Sequence, residues 1–166
     1  MQMGNHLQVR AAEGFSRIPP PLLLAAAATL GYLFDKKIRN KNRRSRLSKS
    51  AGWLVLDIGV ALGVWALRTM ISRGQNPNPA AEKTKLITDG PFRFSRNPVY
   101  LGAAIAALGG SIQASSPTGS VLTVIGLLYI DRAVVPAEEQ YLSEKFGKTF
   151  EEYRSSVPRW VLRRQA

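Results

Sequence analysis

Four long apolar stretches limit what this chain can fold into: Ile18 to Phe34, Ala51 to Ile71, Pro98 to Ala114 and Pro117 to Val135. Each approaches the roughly 20 residues a helix needs to cross the hydrocarbon of a bilayer, several of them at the short end. A helix of that length in a water-soluble bundle keeps a polar face, yet AGWLVLDIGVALGVWAL and PTGSVLTVIGLLYI are apolar nearly all round. The pattern therefore predicts an all-α integral membrane bundle of about four transmembrane helices, followed by a C-terminal amphipathic segment on the cytoplasmic side. A soluble four-helix bundle is the competing arrangement. With 166 residues there is room for one domain, so residues 1–166 are expected to carry binding and chemistry on a single scaffold.

Charge points the same way. Lys and Arg number 23 against 11 Asp and Glu, a formal net charge of +12, which in a soluble protein would suggest nucleic acid as partner. Here eight of the basic residues fall within the 14 residues from Lys36 to Lys49, between two apolar stretches, as in a loop beside anionic headgroups. Membrane lipids are the expected partners, and nucleic acid is not. The absence of cysteine excludes disulfides, thiolate nucleophiles and Cys-based metal sites. The single histidine, His6, lies in a polar N-terminal stretch, so neither a metal centre nor a Ser-His pair is expected. No small-residue cleavage site precedes a plausible mature domain, and the first apolar run is expected to be retained.

Between the apolar stretches the chain alternates loops of distinct character. IPPP opens the first helix, where missing amides cost nothing, and the charged run DKKIRNKNRRSRLSK closes it. Residues 72–97 form a polar, turn-rich excursion, whereas QASSPTG is a short connection that makes the third and fourth helices a hairpin. LGAAIAALGG in the third helix supplies small residues for close approach of a neighbouring helix or a ligand. The Lys36–Lys49 loop holds eight Lys and Arg, and the opposite side holds thirteen, so the total places the excursion and tail in the cytoplasm while local density argues the reverse. A cytoplasmic excursion is expected, with a first segment that spans or only re-enters.

Two polar blocks flank the hairpin and must share one side of the membrane: GPFRFSRNPVYLG, from Gly90 to Gly102, and DRAVVPAEEQYLSEKFGKTFEEYRSSVPRW, from Asp131 to Trp160. Their order, spacing and apolar context resemble the isoprenylcysteine carboxyl methyltransferase and phospholipid methyltransferase superfamily of membrane enzymes, over about Leu86 to Trp160. The resemblance implies a helical membrane fold, residues about 86–160 being its catalytic half, that binds S-adenosylmethionine near the cytoplasmic face and methylates a lipophilic small molecule or lipid. No strand followed by a glycine-rich dinucleotide loop is present.

Read from their own chemistry, Arg96 and Asn97 precede Pro98, which suits a first helical turn, so both are aimed at a helix mouth where a cation can hold a carboxylate. Under the family resemblance Arg96 orients the acceptor or stabilises developing charge, with Arg132 and Asn97 beside it as catalytic residues. Tyr100 and Gly102 then border the cofactor. The plainer reading of Arg96 is an interfacial arginine on lipid phosphate. Arg132 and Glu139 are seven apart and share a helix face if the helix survives Pro136, a kink there turning Glu138 and Glu139 toward the hairpin mouth. Two acids suit a ligand bearing an ammonium, a sulfonium and ribose hydroxyls; the alternative is a solvated helix with internal ion pairs. Asp131, Arg132 and Asp57 in or near apolar spans are costly unless paired, and Asp57 is expected to meet Arg132 or Arg68. Phe146, Gly147, Tyr153, Pro158, Arg159 and Trp160 are expected to fold back as a lid over adenine, or to anchor the tail at the interface.

Methyl transfer from a sulfonium is an in-line displacement that alignment and desolvation can drive. The family commonly has His where this chain has Asn97, and Asn cannot take a proton at neutral pH. The acceptor is therefore expected to be a carboxylate or thiolate that attacks already deprotonated, rather than an ammonium headgroup. Three alternatives stay open: a phospholipid amine methyltransferase, an NADPH-dependent membrane reductase of related fold, and a non-enzymatic lipid-binding membrane protein. Acceptor identity and oligomeric state are not written in the sequence.

Overall fold

The structure is a computed structural model and describes residues 19–38, 46–76 and 83–161. His6, the centre of the basic Lys36–Lys49 loop, and Arg163 and Arg164 lie outside the described residues.

Each apolar stretch becomes a helix. Helix α1 is Pro20–Ile38, α2 Arg46–Ser72, α3 Pro98–Gln113 and α4 Pro117–Tyr129. A π turn at Ile130–Val134 carries α4 without a break into α5, Val135–Phe146, and α6 follows at Lys148–Ser156. A short 3-10 turn at Gly90–Arg93 ends the excursion between α2 and α3, and no strand occurs among the described residues.

Two helical rods are long and apolar enough to cross a membrane: Lys49–Ser72 and the continuous Pro117–Phe146. The other two of the four expected spans are shorter or more polar. Prolines at 98 and 117 start α3 and α4, and the turn between them holds Ser115 at φ +52°. At 16 residues α3 reaches only about 24 Å. It does not need more, because it is the inner helix: Ile112 is its one exposed large apolar residue. By contrast α1, α2 and α4 expose Leu22, Leu30, Leu33, Trp53, Ile58, Val64, Val124, Ile125 and Leu128. Apolar surface this extensive is stable against lipid and not against water. The protein is an all-α, membrane-associated helical bundle.

Small residues set the packing. A methyl group built on Gly59 of α2 would overlap the backbone of Ala106 in α3, and one on Gly109 would overlap Leu56. The α1–α4 contact is made the same way, Gly31 against the backbone of Gly119. Lipid tails are as apolar as leucine, so helices in a bilayer gain cohesion from close backbone approach of this kind rather than from burying large side chains. A polar clasp closes the end of the bundle away from the excursion. Asp35, at the end of α1, accepts hydrogen bonds from Ser116 Oγ (2.7 Å), Thr118 N (3.1 Å) and Thr118 Oγ1 (2.6 Å), which caps the start of α4 from a neighbouring helix.

At the other end, Gln75 is buried and its Oε1 accepts from the Thr84 and Lys85 amides at 3.1 and 3.2 Å, folding the excursion back over the end of α2. Arg73 pairs with Asp89 beside it. Gly147, at φ 52° and ψ −127°, turns the chain from α5 into α6 in a conformation only glycine adopts without strain.

Candidate functional site

The 3-10 turn and the start of α3 present the first polar block; α5, α6 and the segment after them present the second. They meet at one end of the bundle. Arg96 Nη2 donates to Glu139 Oε1 at 2.8 Å, with the two side chains only 10% and 8% exposed. Arg159 reaches the same carboxylate from the other side, Nε to Oε1 at 3.1 Å and Nη2 to Oε2 at 2.7 Å. Its Nη1 donates to Asp131 Oδ1 at 3.3 Å, and Trp160 Nε1 donates to that oxygen at 2.8 Å. Two acids, two arginines and an indole thus form one network linking three parts of the chain: the segment before α3, the rod that carries Asp131 and Glu139, and the segment after α6.

The strap from Val157 to Trp160 is held through its backbone as well. Arg96 N donates to Pro158 O at 3.0 Å, and the Arg159 carbonyl accepts from Ser95 Oγ (2.9 Å) and Asn97 Nδ2 (3.2 Å). Buried Ser95 also accepts from the Asn97 amide at 3.1 Å. Tyr153 Oη donates to Phe92 O at 2.8 Å, fixing α6 on the 3-10 turn.

Environment separates the two arginines. Burial pulls Arg96 below the ordinary arginine range; Glu139 opposes that, and Arg159 and Arg154 add to it. Arg159 moves up, because its hydrogen bonds to Glu139 outweigh its lighter burial. The same carboxylate therefore meets opposite outcomes in its two partners, and the difference is water. Burial also pushes the Tyr153 phenol up, keeping it a neutral donor. Arg96 retains one unspent group: its Nη1 donates to Arg154 O at 2.9 Å, but its buried Nε has no partner among the described residues. Beside the network lies an open cavity of about 350 Å³, with Glu139 and Glu144 on its wall together with Arg154 and Arg159, and with Pro136, Gln140 and Ser143 completing the lining. A cavity carrying both charges suits a zwitterion.

Of the residues singled out in the sequence, the structure brings together Arg96, Asn97, Glu139, Tyr153, Pro158 and Arg159. Glu138 and Tyr100 form a second contact, Tyr100 Oη donating to Glu138 Oε2 at 2.9 Å. Others lie elsewhere. Arg132 is 76% exposed and its ion pair is with Asp131 at 3.6 Å, not with Glu139. The π turn is the reason: Val135 N bonds back to Ile130 O, adding a residue to one turn and breaking the seven-residue phase that would have stacked Arg132 over Glu139. Pro136 favours that turn, since it has no amide to give to residue 132 and crowds its carbonyl. Gly102 faces α2, where an added methyl would lie 2.6 Å from Gly63 N, so it serves helix packing. Phe146 stands half-buried at the end of α5, and the aromatic packed beneath α6 is Phe150, 1% exposed, with its ring 6.4 Å from that of Tyr153. Asp57 and Arg68 are exposed on α2, and no ion pair joins Asp57 to Arg68 or Arg132 among the described residues.

Sequence reasoning missed Ser95, Phe150 and the hub position of Arg159. Ser95 looks like an ordinary turn residue in FSRNP, and nothing local marks Arg159 rather than Arg132 as the partner of Glu139.

These features define a class: a helical membrane bundle with a charged site at the mouth of its inner helix, built from two polar blocks. The chain belongs to the phospholipid methyltransferase family, whose profile matches residues 47–149. Among curated proteins it is similar to protein-S-isoprenylcysteine O-methyltransferase B of Arabidopsis thaliana, 30% identical over 80 residues, which cover 48% of this chain and 41% of that protein. A probable protein-S-isoprenylcysteine O-methyltransferase of Oryza sativa subsp. indica is 34% identical over 76 residues, 46% of this chain and 40% of the rice protein. The protein-S-isoprenylcysteine O-methyltransferase of Schizosaccharomyces pombe is 34% identical over 73 residues, 44% and 31% of the two chains. The match thus spans less than half the length of each of these relatives. No solved structure matches the chain significantly.

Proposed function

We propose that this protein transfers a methyl group from S-adenosylmethionine to a lipophilic acceptor at the membrane interface, with its site toward the cytoplasm. The observation that carries the reading is the buried Arg96, paired with Glu139 and left with an unpartnered Nε–H, beside a cavity that carries both charges. A buried guanidinium donor without an acceptor costs stability unless a ligand takes it. The amino-acid end of the methyl donor is a zwitterion, and the cavity wall fits it: Arg154 and Arg159 for the carboxylate, Glu139 and Glu144 for the ammonium, with Arg96 holding Glu139 from behind. Asn97, Pro158 and Tyr153 hold the strap and α6 that wall the site. Bound there, S-adenosylmethionine supplies an electrophilic methyl on a positively charged sulfur.

The chain's own residues then do three things. Arg96 and Glu139 fix each other in a dry setting, so neither reorganises during reaction. The strap excludes water through its contacts with Ser95, Asn97 and Asp131. The exposed apolar faces of α1, α2 and α4 leave the acceptor a lateral route from the bilayer. The names of the relatives favour a carboxyl acceptor on a prenylated cysteine, in keeping with the preference for carboxylate or thiol drawn from Asn97. The family description favours a phospholipid amine.

Isothermal titration of the purified protein with S-adenosylhomocysteine tests the reading. Binding is expected, weakened about 10–100-fold in Arg96→Ala and Glu139→Gln, the worth of one hydrogen bond to a charged group. Absence of binding by the unaltered protein overturns it.

A further inference from the structure

Helix α2 and the 3-10 turn touch at two levels. A methyl group built on Gly90 would lie 2.9 Å from Thr69 Oγ1, and one helical turn along α2 the Trp65 and Phe94 rings stand 6.5 Å apart at 50°. Both residues are open to the surroundings, 47% and 60% exposed. One arginine on each partner flanks this seam: Arg68, beside Thr69 and a turn beyond Trp65, and Arg93, between Gly90 and Phe94. Both are exposed, and neither forms an ion pair or hydrogen bond among the described residues. Asp89, the acid at the start of the turn, is already taken by Arg73. The seam therefore carries two uncompensated guanidinium groups next to two bare aromatic rings.

Depth decides what these groups meet. The rise from Lys49, where the apolar rod of α2 begins, to Arg68 is about 28 Å, close to the roughly 30 Å of bilayer hydrocarbon. Trp53, Leu54, Ile58, Val60 and Val64 are exposed between them. With Lys49 at one headgroup layer, Arg68 stands in the other, and Trp65 and Phe94 lie about a turn inside it, where aromatic side chains collect. The guanidinium fork matches a phosphodiester, and two such groups with no free acid between them repel the ammonium of a zwitterionic headgroup. We propose that an anionic phospholipid binds this seam, its phosphate held by Arg68 and Arg93 and the upper part of its acyl chains lying on Trp65 and Phe94. The site is separate from the charged cavity, and it stands whether or not the chain transfers methyl groups. Because Phe94 directly precedes Ser95 and Arg96, the lipid fixes the mouth of α3 at the headgroup plane.

The experiment offers the full chain in detergent an equimolar mixture of phosphatidylglycerol and phosphatidylcholine with the same acyl chains, and counts bound lipid by native mass spectrometry. Phosphatidylglycerol adducts are expected to exceed phosphatidylcholine adducts about 10–30-fold, the worth of two basic residues at an anionic surface. Arg68→Gln combined with Arg93→Gln brings that ratio to within about threefold. Lys145→Gln combined with Lys148→Gln removes the same charge from exposed positions on α5 and α6 and is expected to keep it. Since all four side chains are exposed, both double variants should melt with the unaltered protein. Glycerol 3-phosphate, the phosphate without its chains, is expected to leave the adduct in place. Equal retention of the two lipids by the unaltered protein, or displacement by glycerol 3-phosphate, overturns the site. Equal loss in the two double variants also overturns it, by assigning the preference to the net charge of +12 alone.

Discussion

At the scale of single residues, one carboxylate organises the site. Glu139 is contacted by two arginines, one before α3 and one after α6, and each guanidinium also grips a carbonyl, Arg154 O for Arg96 and Asp131 O for Arg159. The contrast with Arg132 is a matter of water: a charge pair in solvent contributes little, whereas a dry one is costly to break. Arg132→Ala is accordingly expected to change stability by less than about 0.5 kcal/mol. Arg159→Ala, which removes three contacts to half-buried or buried acids, is expected to cost about 1–3 kcal/mol. Thermal unfolding of both variants in detergent measures the difference, and equal effects would contradict the network described.

At the scale of elements, the seams between helices decide the geometry. The α2–α3 contact admits no side chain at Gly59 or Gly109, and it is this contact that carries Arg96 and Tyr100, at the start of α3, to their places. Gly59→Leu forces the two helices apart and is expected to destabilise the bundle by about 1–3 kcal/mol or more. Because α3 bears half of the site, the same variant should weaken S-adenosylhomocysteine binding although Gly59 packs on Gly102 and Ala106 and not on Arg96. A melting curve and a titration on one preparation check both. The π turn belongs to this scale too. It sets the phase of α5 against α4, aiming Glu139 at Arg96 and turning Arg132 outward.

For the whole molecule, the balance lies between a strong positive charge and broad apolar faces. A net charge of +12 could bind the protein to anionic membranes electrostatically, in which case salt would release it. The exposed leucine, isoleucine, valine and tryptophan side chains of α1, α2 and α4 predict otherwise. After washing membranes with about 1 M salt, where screening acts over roughly 3 Å, the protein should stay in the pellet and need detergent for release. Release by salt alone would show that charge, not apolar burial, holds it.

Much of this was legible in the linear sequence, because composition and periodicity are local properties. Four apolar runs bounded by proline, glycine and charge made four helices, and the short Gln113–Gly119 connection made a hairpin. Two blocks on either side of a hairpin had to emerge at the same end, which is why Arg96 and Glu139 could be placed in one site before their distance was known. What the sequence left undecided depends on rotation about helix axes and on backbone geometry between elements. A single π turn moves every later side chain by about 100°, so Arg159 and not Arg132 reaches Glu139, and Glu138 turns to Tyr100. Gly102 lies at a seam rather than in the site because only the approach of α2 determines which face of α3 is covered. The sequence by itself determined which elements form and which end of the bundle carries charge. Tertiary structure alone decided which charges meet, since a hydrogen bond is sensitive to a few tenths of an ångström and helix periodicity is not.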